Sequence, residues 1–197
     1  MRRVMLASAV ALVVAAVAFT ASCGGKSPAN PTGTGNLSMM ITDSPFTDAK
    51  AVFVTFSEVK VSTDGTDWQT INFADSATSR TCDLKKLTDG AQDVLGVGTL
   101  LAGHYTQVRL VVSGATVYFD NESTGATACA ATLPVPDGAS APITIPSGVV
   151  KLNREFDVPE AGATTMLLDF KGDQSLLHET GSGVYMMRPV ISVVSVQ

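Results

Sequence analysis

The sequence predicts an all-β chain: one β-sandwich of about seven to nine strands behind an export segment. Three observations carry this. From Asn36 onward, short apolar runs alternate with polar residues. Turn residues separate those runs, and no stretch has the periodicity of a helix of three turns.

The N-terminal residues are of another kind. Arg2 and Arg3 precede "VMLASAVALVVAAVAF" (4–19), sixteen residues without a charge, and small residues then lead to Cys23. That order predicts a signal peptide over residues 1–22, and the run is shorter than the roughly 20 residues of a membrane-spanning helix. "TASC" (20–23) resembles a bacterial lipobox, in which small residues precede a cysteine that is diacylated before cleavage. Ala21 and Ser22 fit, whereas Thr20 stands where Leu is usual. An uncleaved anchor and ordinary cleavage near Ala21 or Ser22 are the alternatives. Residues 23–35 then read as a tether: "GGKSPANPTGTG" has no large apolar side chain and reaches on the order of 20 Å.

Cysteine parity bears on the same point. Of three cysteines, a lipidated Cys23 leaves Cys82 and Cys129 to pair in an oxidising compartment. The bridge would contribute roughly 4 kcal/mol through loop closure; two separate buried thiols are the alternative. Removing residues 1–22 leaves eleven Lys+Arg against eighteen Asp+Glu, net −7, which opposes binding to nucleic acid through a basic patch. Residues 36–197 suffice for one core.

Strand by strand, "NLSMMIT" (36–42) is the first candidate, ended by Asp43-Ser44-Pro45. In "AVFVTFSEVKVS" (51–62) the apolar phase moves from Val52, Val54 and Phe56 to Val59 and Val61, so a bulge is expected near Ser57-Glu58. "TDGTD" (63–67) is turn chemistry, with a return strand over 68–73. Residues 81–103 predict a short strand and a helical turn, without a long helix. "HYTQVRLVVSGATVYF" (104–119) is the clearest strand, with Thr106, Val108, Leu110 and Val112 inward and Tyr105, Gln107 and Arg109 outward. Residues 120–142 carry little pattern. Runs over 149–156, 164–170 and 184–196 complete the set.

Few residues suggest chemistry. Asp43 and Asp48 flank "SPFT" and could offer oxygen ligands to Ca²⁺, but the spacing is not that of an EF-hand and a turn or loop-amide role is favoured. Asp169, Asp173 and His178 could suggest acid–base work, yet no nucleophile motif accompanies them, and Ser175 reads as a turn residue. His104 and His178, far apart, do not make a zinc spacing; no metal or cofactor is expected. An outward Tyr105 and Arg109 would suit an interface, although Arg109 could simply pair with an acid. Trp68 is expected in the core.

Five segments, "ITDSP" (41–45), "VFVTFSEVKV" (52–61), "AGHYTQVRL" (102–110), "LLDFKGDQSL" (167–176) and "YMMRPVISV" (185–193), resemble a family of bacterial lipoprotein domains of unknown function, DUF4382. The resemblance spans about residues 36–194. It implies an exported, often lipidated sandwich, immunoglobulin-like or transthyretin-like, with no established activity. Lys171 departs from the family, where an acid often follows the Asp-Phe pair, and Cys82 and Cys129 are not family features. By similar resemblance, Gly24 after the cysteine points to the outer membrane. The expected function is a non-enzymatic binding or interaction module, held to the membrane by lipid on Cys23, with a protein or glycan partner and no nucleic acid. Envelope assembly through a strand edge is the alternative, and a hydrolase the third reading.

Overall fold

The computed structural model describes residues 32–44, 49–175, 178–180 and 184–197, the segment 178–180 by its backbone alone. Cys23, Asp48 and the His178 side chain lie outside the described residues. Where sequence alternation is strict, strands follow. β1 (Thr34–Ser44) buries Leu37, Met39 and Ile41, and starts two residues inside the expected tether. β2 (Ala51–Ser62) changes register between Phe56 and Glu58, the bulge that its apolar phase predicts.

Then come β3 (Trp68–Thr70), β4 (Asn72–Phe73) and β5 (Arg80–Asp83), a 3-10 turn over Leu84–Leu87, β6 (Asp93–Leu101) and β7 (Gly103–Tyr118). The remainder are β8 (Cys129–Ala130), β9 (Ser140–Thr144), β10 (Val149–Val158), β11 (Ala163–Lys171), β12 (His178–Thr180), β13 (Val184–Met186) and β14 (Ile191–Val196). These fourteen described strands exceed the seven to nine expected, because several are two- or three-residue pieces and the run over 184–196 divides. Its halves, β13 and β14, join different sheets.

A five-stranded sheet has the order β14-β11-β1-β6-β4. A nine-stranded sheet is built on β2 and β7, with β10 and β9 along β7 and β3 and β5 along β2. The two enclose one core, with Leu37, Met39, Met166 and Leu168 from one sheet and Val54, Phe56, Val108 and Leu110 from the other. This is an all-β sandwich. No helix among the described residues is long and apolar enough to cross a membrane.

A smaller cluster, Ala51, Phe53, Tyr118 and Leu133, lies apart from that core. Phe53 alternates with the core-facing Val52 and Val54, so it lies on the other face of the nine-stranded sheet. Leu133, from the weakly patterned 120–142 segment, covers it there. Cys82 and Cys129 face each other across β5 and β8 and form a disulfide.

Candidate functional site

The outward face of the nine-stranded sheet has a second, open half. Register sets Lys60 opposite both Thr70 and Arg109, and Arg109 opposite Lys151, so three cations share one row across β2, β7 and β10. In the next row Ser62 faces Trp68 and Gln107, and Gln107 faces Asn153. The Arg109 guanidinium lies 4.6 Å from the Trp68 ring centroid, an arrangement favourable for a cation over an aromatic face. Glu58 Oε2 is 2.6 Å from Lys60 Nζ and 3.7 Å from Arg109 Nη2, and these cations hold the Glu58 carboxyl below its usual range.

The row runs out at β10, which among the described residues pairs with β7 alone. Val112 N–H donates to Gly148 O at 2.7 Å, and a Cβ at Gly148 would lie 2.2 Å from Val112 O, so only glycine admits this approach. Beside it, Pro146, Val149, Lys151, Arg188 and Pro189 line an open cleft of about 350 Å³. Among the described residues no ion pair engages Lys151 or Arg188.

Tyr105 does not belong to this face. It is fully buried: its ring stacks on Phe156 with centroids 5.2 Å apart, and its hydroxyl donates to Leu101 O and accepts from Gln69 Nε2, both at 2.9 Å. β7 has left β2 beyond Gln107 and pairs with β10 across a register shift, which breaks the expected alternation there. Trp68, expected in the core, is only half-buried, with Arg109 against its ring. His104 is exposed and pairs with Asp157 at 2.8 Å.

The carboxylates form a separate corner. β1 and β11 run parallel, setting Asp43 opposite Phe170 and Thr42 opposite Asp169. Asp43 is 5 % exposed. Its Oδ1 accepts the Gly172 N–H at 2.9 Å, and its Oδ2 has no partner among the described residues. Burial, with Asp169 and Asp173 nearby, pushes its pKa up to about 7 against the Gly172 hydrogen bond. A Cβ at Gly172 would lie 2.9 Å from Asp43 Oδ1, so a side chain there would displace the carboxylate from the Gly172 amide. Asp169 accepts from Ser44 Oγ at 3.3 Å and pairs with Lys171 Nζ at 3.2 Å. Ser175 is buried; its hydroxyl donates to Lys171 O and accepts from Val190 N–H. The amide Asp43 satisfies lies 129 residues away, not only in its own loop. Among the described residues no three His, Cys, Asp or Glu side chains are grouped to hold a metal.

A third, uncharged groove of about 490 Å³ lies along the five-stranded sheet, lined by Asn36, Ser38, Asn72, Thr99 and Thr165 among others. Its Thr99 hydroxyl donates to Asn36 Oδ1 at 3.0 Å.

Lys60, Lys151 and Arg188 were not singled out by sequence reasoning. Alternation in β2 and β10 would have placed the two lysines outward, but the shared row needs the strand order. Arg188 reaches the same cleft only through the fold.

No curated protein and no solved structure matches the chain. A family model does: the one described as Domain of unknown function (DUF4382) matches residues 34–189, from the first residue of β1 to the Pro189 that lines the cleft. The chain is therefore a member of the DUF4382 family.

Proposed function

We propose that this chain is an exported lipoprotein, anchored to the outer membrane through an acylated Cys23, whose sandwich is a non-catalytic binding module at the cell envelope. The Cys82–Cys129 disulfide carries the reading: it suits an oxidising compartment and leaves Cys23 as the one cysteine outside the pair. The open half of the nine-stranded sheet supports binding, because beside a half-buried tryptophan it presents Lys151 and Arg188, cations without an ion pair among the described residues of an acidic chain. Asp169 and Ser175 are tied into hydrogen bonds within the fold, which supports a structural role for them.

Membrane fractionation of cells expressing the full chain, beside Cys23→Ser, tests this. Wild type is expected with the outer membrane and the variant in the soluble periplasmic fraction; a soluble wild type contradicts the anchor. Turnover of a substrate by purified protein that retains no envelope component would count against a binding module.

A second reading has one observation in its favour. β10 is ten residues long and, among the described residues, pairs on one side only, so its other edge could receive a strand from an envelope assembly. Its exposed Lys151 and its register shift oppose such pairing. Strictly monomeric protein with no cross-linked envelope partner argues against this reading.

A further inference from the structure

Resting on the binding-module reading, we propose that the open half of the nine-stranded sheet takes a carboxylate-bearing polysaccharide, laid across Arg109 and Lys151 and into the cleft beside Arg188. Charge is the first argument. The chain carries net −5, yet Lys60, Arg109 and Lys151 share one row and Arg188 stands at its end. Glu58 is the acid in contact with that row, and it already touches Lys60 and Arg109. Lys151 and Arg188 are exposed and without an ion pair among the described residues, so their charge is available to a ligand carboxylate.

Spacing is the second argument. Neighbouring strands place the backbone positions of the row about 4.8 Å apart, with one cation on each strand. A row with one cation per strand suits a polymer of sugar rings that carry one carboxylate each. A nucleic acid, with a charge every ~1.7 Å of duplex axis, carries charge more densely than one cation per strand can match.

The remaining chemistry is that of sugar recognition. Gln107 and Asn153 offer amide donors and acceptors to ring hydroxyls. Trp68, the exposed Val149, Pro146 and Pro189 offer apolar surface to the C–H faces of the rings. Arg109 is already oriented by Trp68, so little ordering is required of it on binding.

The test is calorimetric titration of the full chain in detergent with hexagalacturonate. An uncharged galactose hexamer and poly-glutamate serve as competitors in class, each at low and high salt. Hexagalacturonate is expected to bind at least tenfold tighter than either and to weaken with salt. Lys151→Gln with Arg188→Gln should lower its affinity at least tenfold, while Lys50→Gln, an exposed cation at the far end of the sheet, leaves it unchanged. Thermal melting checks that the variants stay folded. Equal binding of the neutral hexamer, tighter binding of poly-glutamate, or indifference to the double substitution overturns the proposal. If hexagalacturonate fails while the chain retains another envelope component, this inference alone falls. If the chain retains none, the binding-module reading falls with it.

Discussion

The two halves of the outward face of the nine-stranded sheet are built on the same strands, β2 and β7, and are treated differently. At one end Ala51, Phe53 and Tyr118 point outward, and the chain covers them: Leu133 packs there and the Phe53 and Tyr118 rings approach to 4.9 Å. Polar bonds tie the cover down. Asp83 accepts Val52 N–H and Lys85 N–H through Oδ1, and the Ser123 hydroxyl at 2.6 Å through Oδ2. On the core side of that end, Arg80 bridges Asp75, Asp93 and Cys129 O, and the disulfide joins β5 to β8 within the main core. At the other end Lys60, Arg109 and Lys151 point outward beside a half-buried Trp68. Burying apolar area gains roughly 25 cal/mol per Å², whereas covering cations costs their hydration. Outward residue type decides which half is closed.

If the halves are as separate as this implies, damage at the covered end of the sheet, including the core-side bonds beneath it, lowers stability and leaves ligand binding intact. The largest loss is expected for Cys82→Ala with Cys129→Ala: about 4 kcal/mol by denaturant unfolding under oxidising conditions. Hexagalacturonate affinity of the variant under native conditions should stay within twofold. Arg80→Met comes next. It strips a buried cation from Asp75 and Asp93, and a loss of about 3 kcal/mol is expected. A comparable loss of ligand affinity in either variant would join the two halves and break the comparison.

The carboxylate corner gives an effect of intermediate size with a definite pH signature. Asp43 titrates near 7 when folded, above its unfolded value near 4. Between those values the folded chain holds a proton that the unfolded chain releases, so stability falls as pH rises from about 4 to about 7 and levels off above. Asp43→Asn should therefore be about 2 kcal/mol more stable than wild type at pH 8, with the gain shrinking towards pH 4. Paired melts across that range check it; a gain that grows on acidification contradicts the sign.

The smallest stability effect belongs to the open half. Trp68→Ala removes the surface under Arg109, and about 1 kcal/mol is expected in unfolding, with a severalfold loss of oligosaccharide affinity. A stability loss above 3 kcal/mol with unchanged affinity would make Trp68 a core residue.

What could be read in the sequence follows from how local its physics is. The phase change in β2 is visible between Val52 and Val61, because a bulge moves every later side chain to the other face. Cysteine parity pointed to Cys82 and Cys129 because export and a lipid site constrain the count. Tyr105 was misplaced because strand alternation assumes unbroken pairing on both sides, and there β7 loses β2 while its pairing with β10 shifts register. The cover over Phe53 was hidden in 120–142, where one leucine matters and no period marks it. The Asp43–Gly172 contact was equally hidden, since the parallel pairing of β1 with β11 joins residues 129 apart. The cationic row is intermediate: each residue's outward direction is local, but their meeting depends on strand order.

Intact and peptide mass spectrometry of the mature protein, isolated from cells without reduction, tests the central claim most directly. It reads the fate of all three cysteines at once. The account predicts an N-terminal Cys23 carrying diacylglycerol and a peptide linked through Cys82 and Cys129. A mature chain with an unmodified Cys23, or with Cys23 in a disulfide with either partner, would contradict it.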